Sequence, residues 1–483
     1  MPLKILFIAS EVAPFAKTGG LADVAGALPK ALSLLGHDVR VVMPAHAAIE
    51  DAMARGEPPY LPTDVVLDVP MGFGTTTAGV FRAQLPKSAV PIFFIAERHF
   101  FDRSAIYGYS DDAYRYAYFS RAALDLAIGA WHWRPDIVHV HDWQTGPALL
   151  WLATAGMSDE RYRGLPSLYT IHNLGYQGTA PWQVLDFLGV KTHRLVEESF
   201  NEVNFMARGI YHATMINTVS PTYAREILTK EGGAGLDGLL RHRQFDVHGV
   251  LNGVDYDVWN PSTDPHLPHR FDAGTVAARA GNKRALQERA QLPVREDVPL
   301  VAMVSRLDIQ KGLDICGHVV HLLMNSFGGE AQFVVLGSGQ RHYEEMFAYL
   351  AGYHRDKMAA FLHYAPDLAP LIYGGSDIFL MPSLYEPCGL GQLIAMRYGS
   401  VPVVRSTGGL ADTVRDGTTG FSFTEFSAQA CWEALARALH VYGTDKGVWN
   451  ALQHNGMMAD FSWTQSAAGY QRLYEWAIAR VRG

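Results

Sequence analysis

The sequence is poor in cysteine, in charge and in long apolar runs, and each shortage excludes a class of protein. Cys316, Cys388 and Cys431 are the only three cysteines in 483 residues, and they are far apart. This leaves no disulfide framework and no zinc-binding spacing. Charged residues make up 18% of the chain, the net charge is −8 and no Lys/Arg-rich run occurs. Nucleic acid and anionic membranes are therefore not expected partners. No apolar stretch is long enough to span a bilayer, and the few cysteines favour a protein of the reducing cytoplasm.

Length and composition fit a globular protein with two large domains. The chain has 483 residues, of which 48% are hydrophobic, and one ordinary domain rarely reaches this size. The apolar run Ile5 to Ala9 is followed by Glu11 without a small-residue cleavage site. We therefore interpret this run as the first buried strand and not as a signal peptide.

One hexapeptide, Thr-Gly-Gly-Leu-Ala-Asp, occurs twice, at 18–23 and at 407–412. Each copy follows an apolar run and is predicted to form a glycine loop between a strand and a helix. Paired glycines let the backbone approach a ligand closely, and a helix N-terminus offers free N–H groups and a positive dipole end. Because Lys17 adds a positive charge beside the first copy, the pattern predicts phosphate binding without a metal.

Apolar runs and helix-like stretches alternate along both halves of the chain. Continuous apolar runs are typical of parallel strands covered by helices on both faces. The turn- and proline-rich segment 252–268 interrupts this alternation. We therefore predict an α/β protein with two doubly wound, Rossmann-like domains that face each other across a cleft, residues 1–250 and 251–460, and a last helix, 461–483, that packs back on the first domain. The predicted strands are 4–9, 38–44, 91–96, 137–140, 167–171, 216–219, 300–304, 332–336, 360–364, 378–381 and 401–404.

Two polar clusters follow strands of the first half. Asp142 comes directly after the strand that ends near His141, and His172 with Asn173 follows the next strand. Ligands of doubly wound sheets bind outside the carboxyl ends of the strands, so we interpret Asp142 and His172 as site residues. His139 and His141 are interpreted as structural. No local His/Asp spacing suggests a metal-ligand set.

The second half has two charged clusters at predicted strand ends. Arg306 and Lys311 lie in one loop, and two cations at a strand end suit a diphosphate. Glu386 precedes Gly389 at the start of a predicted helix. Such a helix start can accept a phosphate, while the carboxylate holds sugar hydroxyls or a developing positive charge.

A third glycine motif, Gly337-Ser338-Gly339, begins like a dinucleotide fingerprint. It lacks the third glycine, and no clear acidic ribose partner follows, so a nicotinamide enzyme is weakly supported. The turn is predicted to shape the base of a nucleotide pocket or to link a strand to a helix.

Taken in order, these motifs resemble the bacterial glycogen synthase and plant starch synthase family. The resemblance extends from residue 4 to about residue 463 and rests on several segments together. These segments are Lys17 to Val24, His141-Asp142-Trp143, His172-Asn173-Leu174, Leu251 to Asp255, Ser305-Arg306-Leu307, Gln310-Lys311-Gly312, Glu386 to Leu390 and Thr407 to Val414.

The resemblance implies a GT-B fold and a retaining transfer of glucose from ADP-glucose to the non-reducing end of glycogen or a linear α-1,4-glucan. It implies neither a cofactor nor a metal. The first domain would bind the acceptor, and the second would bind most of the nucleotide sugar. The catalytic positions it implies are Glu386, His172, Asp142, Arg306 and Lys311. The substrate-binding positions are Lys17, Gly19, Gly20, Asp23, Tyr109, Asn173, Asn252, Tyr364, Cys388, Gly389, Leu390 and Gly391.

One position departs from the family pattern, and several alternatives stay open. Gly391 stands where many members carry threonine, so a hydroxyl near the phosphate is missing; we predict that Gly391→Thr tightens ADP-glucose binding. The alternatives are a GT-B transferase that uses UDP-glucose or a different acceptor, and a glucan-binding homologue without activity. A phosphorylase is disfavoured because no Schiff-base lysine for pyridoxal phosphate can be placed.

Overall fold

The computed structural model describes residues 2–55, 59–325 and 330–483 and divides the chain into two compact units. Unit 1 comprises Met1–Gly253 and Trp463–Gly483, and unit 2 comprises Val254–Ser462. Each unit contains one large sheet. Among the described residues, no helix is both long and apolar enough to cross a membrane.

The sheet of unit 1 has nine strands in the order β11-β10-β7-β6-β1-β2-β5-β4-β3. The seven strands from β11 to β5 are parallel, and the hairpin β3–β4 continues the sheet in antiparallel pairing. A separate two-stranded sheet pairs β8 with β9. The strands are β1 Lys4–Ile8, β2 Asp38–Pro44, β3 Leu61–Met71, β4 Gly74–Gln84, β5 Pro91–Ala96, β6 Ile137–His141, β7 Ser167–Ile171, β8 Thr179–Pro181, β9 Glu202–Asn204, β10 Met215–Thr218 and β11 Val247–Gly249.

Helices cover both faces of this sheet. One apolar cluster joins it to α4, α5 and α7, and another joins it to α1 and to the last helix, which belongs to unit 1. A turn of π-helix, Asp125–Ala130, extends α4. The helices of unit 1 are α1 Gly20–Leu34, α2 Ala47–Ala54, α3 Arg98–Phe101, α4 Asp112–Leu124, α5 Asp142–Ala153, α6 Gln183–Leu188, α7 Phe205–His212, α8 Pro221–Glu226, α9 Asp237–His242 and α18 Trp463–Arg482.

The sheet of unit 2 has six parallel strands in the order β14-β13-β12-β15-β16-β17. Apolar clusters again lie on both faces. The strands are β12 Leu300–Val304, β13 Gln332–Leu336, β14 Met358–Phe361, β15 Ile378–Met381, β16 Val401–Arg405 and β17 Phe421–Phe423. The helices are α10 Arg279–Arg289, α11 Leu313–Asn325, α12 Arg341–Tyr353, α13 Ala369–Gly375, α14 Gly391–Arg397, α15 Gly408–Thr413, α16 Ala428–Thr444 and α17 Lys446–Met458.

Each parallel sheet has one point at which the strand order reverses. In unit 1 the reversal falls between β1 and β6, and in unit 2 it falls between β12 and β15. Ligands of such sheets bind in the crevice at the carboxyl ends of these strands. The segments that follow these four strands carry Lys17, Asp142, Arg306, Lys311 and Glu386.

The structure confirms the predicted α/β class and most strand positions to within one or two residues. The exception among the long parallel strands is 360–364, since β14 runs from Met358 to Phe361 and leaves Tyr364 in the segment beyond the strand. The hairpin β3–β4 and the short strands β8, β9, β11 and β17 were not predicted.

Candidate functional site

Asp142 joins the ends of two neighbouring strands of unit 1. It directly follows β6 with a positive φ of 53°, a conformation that side-chain-bearing residues adopt at a cost of about 1–3 kcal/mol. Its Oδ1 accepts hydrogen bonds from the backbone N–H of His172 at 2.6 Å and of Asn173 at 3.3 Å. The carboxylate therefore fixes the backbone that follows β7. Burial raises the pKa of Asp142 to about 7 despite these two bonds.

The raised pKa of Asp142 predicts a pH dependence of stability. Between the unfolded pKa of about 4 and the folded pKa of about 7, the folded state retains a proton that the unfolded state has lost. Stability is therefore expected to fall as pH rises through this window, by at most about 1.4 kcal/mol per pH unit. Asp142→Asn should remove this part of the slope. The check is the urea midpoint of both proteins at pH 5, 6, 7 and 8; parallel curves would contradict the prediction.

The ring of His172 contacts a second histidine. His172 Nε2 lies 3.0 Å from Nδ1 of His141, the last residue of β6. Burial lowers the pKa of His172 to about 3 and holds that of His141 well below its ordinary value. Both rings are therefore neutral at neutral pH.

The backbone of the first glycine loop is hydrogen-bonded to the carboxylate of Glu11, a residue of the same chain. Glu11 Oε2 accepts the backbone N–H of Thr18 at 2.5 Å and its hydroxyl at 2.8 Å, and the Gly19 N–H also donates to Glu11. Burial raises the pKa of Glu11 in spite of these bonds. The backbone N–H groups of Thr18 and Gly19, which the sequence predicted to bind a phosphate, therefore already donate to Glu11. Of the predicted phosphate-binding glycines, this leaves the N–H of Gly20, the first residue of α1.

The other predicted residues of unit 1 lie in different surroundings. Lys17 Nζ pairs with Asp23 Oδ1 at 2.6 Å, and both side chains are partly exposed. The hydroxyl of Tyr109 accepts the Ala105 N–H at 2.9 Å. Asn173 Oδ1 accepts the N–H of Gly175. Asn252 is buried, and in the part of the chain that the structure describes its Oδ1 has no hydrogen-bond partner.

In unit 2, Glu386 is held by groups from two strand ends. Lys311 Nζ lies 2.7 Å from Glu386 Oε2, and the Ser383 hydroxyl donates to the same oxygen at 3.0 Å. The Glu386 side chain is 6% exposed and that of Lys311 16%. The ammonium group of Lys311 and the carboxylate of Glu386 therefore form an ion pair where β12 and β15 end. Part of each side chain remains accessible to a ligand.

Arg306 belongs to the same loop as Lys311 but is far more exposed. Its guanidinium pairs with Asp308 at 3.1 Å and donates to Gln310 at 3.2 Å, with 48% of the side chain exposed. The backbone of this loop is hydrogen-bonded to the loop that follows β15, because the Leu384 N–H donates to the Gln310 carbonyl at 2.9 Å. Arg306 thus supplies positive charge at the accessible side of the loop.

The glycines of the second hexapeptide pack against the loop that carries Glu386. The Gly409 N–H donates to the Glu386 carbonyl at 3.1 Å. A Cβ at Gly409 would lie 2.5 Å from the Cα of Cys388, and one at Gly408, where φ is +45°, would meet the Glu386 carbonyl. Only glycine allows this close approach, so the second pair is required by packing.

Gln392 completes this arrangement. Its Nε2 donates to the carbonyls of Cys388 and Gly389 and to the hydroxyl of Thr413, which itself donates to the Gly409 carbonyl at 2.6 Å. Gly389 has a φ of +75°, and a Cβ there would meet the Gln392 amide. The start of α14 and the end of α15 are therefore connected through the buried Gln392 side chain.

The two copies of the hexapeptide predict opposite responses to the same substitution. Gly409→Ala is expected to destabilise the protein by about 1–3 kcal/mol, because the loop 386–389 must shift, and to lower activity. Gly19→Ala should be tolerated in the fold, since the nearest atom to its Cβ is Glu11 Oε1 at 3.9 Å and its φ is extended. Thermal unfolding of the two variants side by side checks this. Equal loss in both would contradict the packing explanation.

Leu390, Gly391 and Tyr364 complete the predicted set in unit 2. Leu390 is half-buried and immediately precedes α14, which Gly391 begins. A Cβ at Gly391 would lie 3.1 Å from Phe379 Cε1, so Gly391→Thr requires Phe379 to shift by a few tenths of an ångström; its effect on donor affinity stays a prediction. Tyr364 is 76% exposed.

Comparisons with known proteins agree over the whole chain. The family described as the starch synthase catalytic domain matches residues 4–242, and that of glycosyl transferases group 1 matches residues 285–446. A glycogen synthase of Moorella thermoacetica is 46% identical over 492 aligned residues, which cover 100% of this chain and 98% of that protein. One of Geotalea daltonii is 45% identical, with 99% of both chains covered.

The chain belongs to the glycogen synthase and starch synthase family.

Solved structures support this membership and the GT-B fold. The catalytic domain of starch synthase IV from Arabidopsis thaliana, bound to ADP and acarbose, matches with a TM-score of 0.91 and 34% identity, over 99% of this chain and 100% of that one. A sucrose-phosphate synthase from Thermosynechococcus elongatus, at 17% identity and a TM-score of 0.59, shares the fold. As a member of the glycogen synthase family, the protein is a hexosyltransferase. The predicted family and fold are confirmed.

In this glycogen synthase family member, the Gly337-Ser338-Gly339 motif has a packing role. A Cβ at Gly337 would meet the Ser305 carbonyl, and one at Gly339 would lie 2.8 Å from the carbonyl carbon of Leu307. The Leu307 N–H donates to the Ser338 carbonyl at 2.9 Å. The glycines therefore let the turn after β13 lie against the segment that carries Arg306.

Sequence reasoning missed four side chains that hold the site residues: Glu11, His141, Ser383 and Gln392. Glu11 and Ser383 follow strands that were correctly predicted, so the strand-end rule applied to Asp142 would have found them. His141 was interpreted as structural, yet its ring contacts His172. The role of Gln392 could not be predicted from its neighbours in sequence, because Thr413 and Cys388, which it joins, come together only in the folded unit.

Proposed function

We propose that the protein transfers glucose from ADP-glucose to the non-reducing end of an α-1,4-glucan with retention of configuration. The observation that carries the proposal is the 2.7 Å contact between Lys311 and Glu386 at the strand-order reversal of unit 2. A cation beside a carboxylate suits a reaction that develops negative charge on a leaving diphosphate and positive charge on the departing sugar.

In this proposal the bond between the anomeric carbon and the diphosphate oxygen breaks, and the acceptor's hydroxyl oxygen forms the new glycosidic bond. The hydroxyl proton passes to the departing diphosphate, so no other reactant is required. Lys311 and the exposed Arg306 stabilise the diphosphate, while Glu386 stabilises positive charge on the sugar. Cys388, Gly389, Leu390 and Gly391 would line the sugar and its phosphate.

We assign acceptor binding to unit 1 and most of nucleotide-sugar binding to unit 2. Asp142, His172 and Asn173 form one hydrogen-bonded group at the end of β6 and β7 and would hold sugar hydroxyls. The first glycine loop and the start of α1 carry Lys17, Gly19, Gly20 and Asp23, which would approach the donor. Tyr109, Asn252 and Tyr364 are proposed as further contacts, the last beside the adenine.

The choice of ADP-glucose is supported by similarity. The Arabidopsis starch synthase IV domain that matches over 99% of this chain was solved with ADP and acarbose. UDP-glucose remains the alternative donor, and we place the reaction in the cytoplasm.

The test is glucosyl transfer to glycogen from ADP-glucose and, in parallel, from UDP-glucose, in excess EDTA, with Glu386→Ala as the control. We expect transfer from ADP-glucose that persists in EDTA and is lost in the variant.

Each other outcome would change the proposal in a definite way. Preference for UDP-glucose would change the donor and retain the reaction. Loss of activity in EDTA would contradict a metal-free mechanism. Glycogen binding without transfer from either donor would indicate a glucan-binding homologue.

A further inference from the structure

His141 is a buried histidine that the proposed reaction does not use, and neighbouring residues hold both its backbone and its ring. Its backbone N–H donates to the Thr145 hydroxyl at 2.6 Å, and that hydroxyl donates back to the His141 carbonyl at 2.7 Å. Its ring packs against the rings of Phe7 and His139, with centroid distances of 4.3 and 4.1 Å. Its Nδ1 is 3.0 Å from His172 Nε2. Position and orientation of this ring are therefore set by the core.

The proton between the two rings can be assigned by counting donors. Each neutral imidazole carries one N–H, so one ring donates across the 3.0 Å contact and the other accepts. His141 Nε2 is buried and has no hydrogen-bond partner among the described residues. If His172 donated, the only proton of His141 would lie on this Nε2, as a buried N–H without an acceptor. Such orphaned donors are rarer in proteins than unpaired acceptors.

We infer that His141 is a positioning residue that donates from Nδ1 and thereby fixes His172 as the Nδ1–H tautomer. The lone pair of His172 Nε2 is then used by His141, and Nδ1 carries the proton. His172 is half-buried, and the hydrogen bond between its ring and His141 uses Nε2 and not Nδ1. It can therefore donate a hydrogen bond to a sugar oxygen, but it has no free lone pair with which to accept a proton.

The backbone and the ring of His172 are thus held by consecutive residues. Asp142 accepts the His172 backbone N–H at 2.6 Å, and His141 determines which ring nitrogen carries the proton. This inference rests on the proposed function only in its claim about sugar binding. The tautomer itself is a property of the protein without substrate.

The first experiment measures the tautomer directly. Two-bond ¹H–¹⁵N correlation spectra of ¹⁵N-histidine-labelled full-length protein distinguish protonated from bare ring nitrogens, and His172→Gln assigns the resonance. We expect a protonated Nδ1 in the wild-type protein and a mixture of tautomers in His141→Leu. A bare Nδ1 in the wild type, or an unchanged spectrum in His141→Leu, would overturn the inference.

The matched control is His46→Leu. His46 is also buried in unit 1, its Nε2 bonds the Ser10 carbonyl at 2.8 Å, and its ring contacts Phe101 and neither His141 nor His172. It should perturb the fold to a similar extent and leave the His172 tautomer unchanged. Loss of the tautomer in both variants would point to a general structural effect and contradict a specific role of His141.

Kinetics test the functional half of the inference. His141→Leu is expected to lower kcat/KM for transfer by about tenfold, the size of one lost hydrogen bond. His141→Asn keeps an N–H near the position of Nδ1 and should recover most of the loss. Wild-type kcat/KM in His141→Leu, or no recovery in His141→Asn, would overturn the functional half. Absence of transfer in the wild type would instead count against the proposed function, and the spectra would still decide the tautomer.

Discussion

Glu386→Gln is expected to lower kcat for glucosyl transfer by about 10²- to 10³-fold, the usual effect of removing one charge-stabilising group. Glutamine retains the shape of glutamate and can still accept hydrogen bonds from Lys311 and Ser383, which lie 2.7 and 3.0 Å from the carboxylate. The substitution therefore removes charge with little change in packing. Steady-state kinetics with glycogen and saturating donor give the measurement.

The matched variant is Lys311→Met, which removes the other partner of the pair. It should raise KM for the donor as well as lower kcat, because Lys311 is proposed to contact the diphosphate in the ground state. Thermal unfolding of both variants controls for misfolding. If Glu386→Gln kept more than a tenth of the parental kcat, the carboxylate charge would contribute less than about 1.4 kcal/mol to the transition state, and the prediction would be wrong.

Arg208→Met is expected to destabilise the protein by about 3–5 kcal/mol, because it leaves Glu198 as a buried charge without its partner. The side chains of Arg208 and Glu198 are both fully buried. They form two parallel bonds of 2.7 and 2.6 Å. The Glu198 carboxylate also accepts the backbone N–H groups of Leu195 and Asn204. The pair thus holds the segment between α6 and α7 against α7.

Urea unfolding of the full chain measures this loss, and two further variants define its origin. The double variant Glu198→Gln with Arg208→Met should be more stable than Arg208→Met alone, because no unpaired charge remains. Arg161→Met removes an exposed arginine paired with Asp159 and should leave the urea midpoint unchanged. A cost below about 1 kcal/mol for Arg208→Met would show that the buried charge finds other compensation.

The strand ends of both sheets were predictable because buried parallel strands are short apolar runs followed by polar residues. This pattern located β1, β6, β7, β12 and β15, and with them the segments that carry Asp142, Lys311 and Glu386. The hairpin β3–β4 was not predicted from the sequence, because it lies at the edge of the sheet and is partly exposed. Pro62, Pro70 and a run of threonines replace the apolar run.

The role of each glycine loop was not predictable from its own residues. The copies at 18–23 and 407–412 are identical in sequence, yet a Cβ at Gly19 would come no closer than 3.9 Å to another residue, Glu11, whereas one at Gly409 would clash with Cys388. The difference comes from the loop 386–389, which packs against the second copy alone. Chemistry at a strand end can be inferred from local sequence, whereas the side chains that hold it in place come from other parts of the chain.

The position of α18 has a consequence for synthesis of the protein. Unit 1 is interrupted after Gly253 and resumes at Trp463, so unit 2 is an insertion within it. Trp463, Tyr470 and Tyr474 cover the same sheet face as Ile5 and Phe7. About 230 residues separate Gly253 from the last residue of α18, Arg482, and at 5–20 residues per second their synthesis takes roughly 10–50 s on the ribosome. During that time the first strands of the nascent chain lack the helix that covers them, and this apolar face is the one that a chaperone would have to protect.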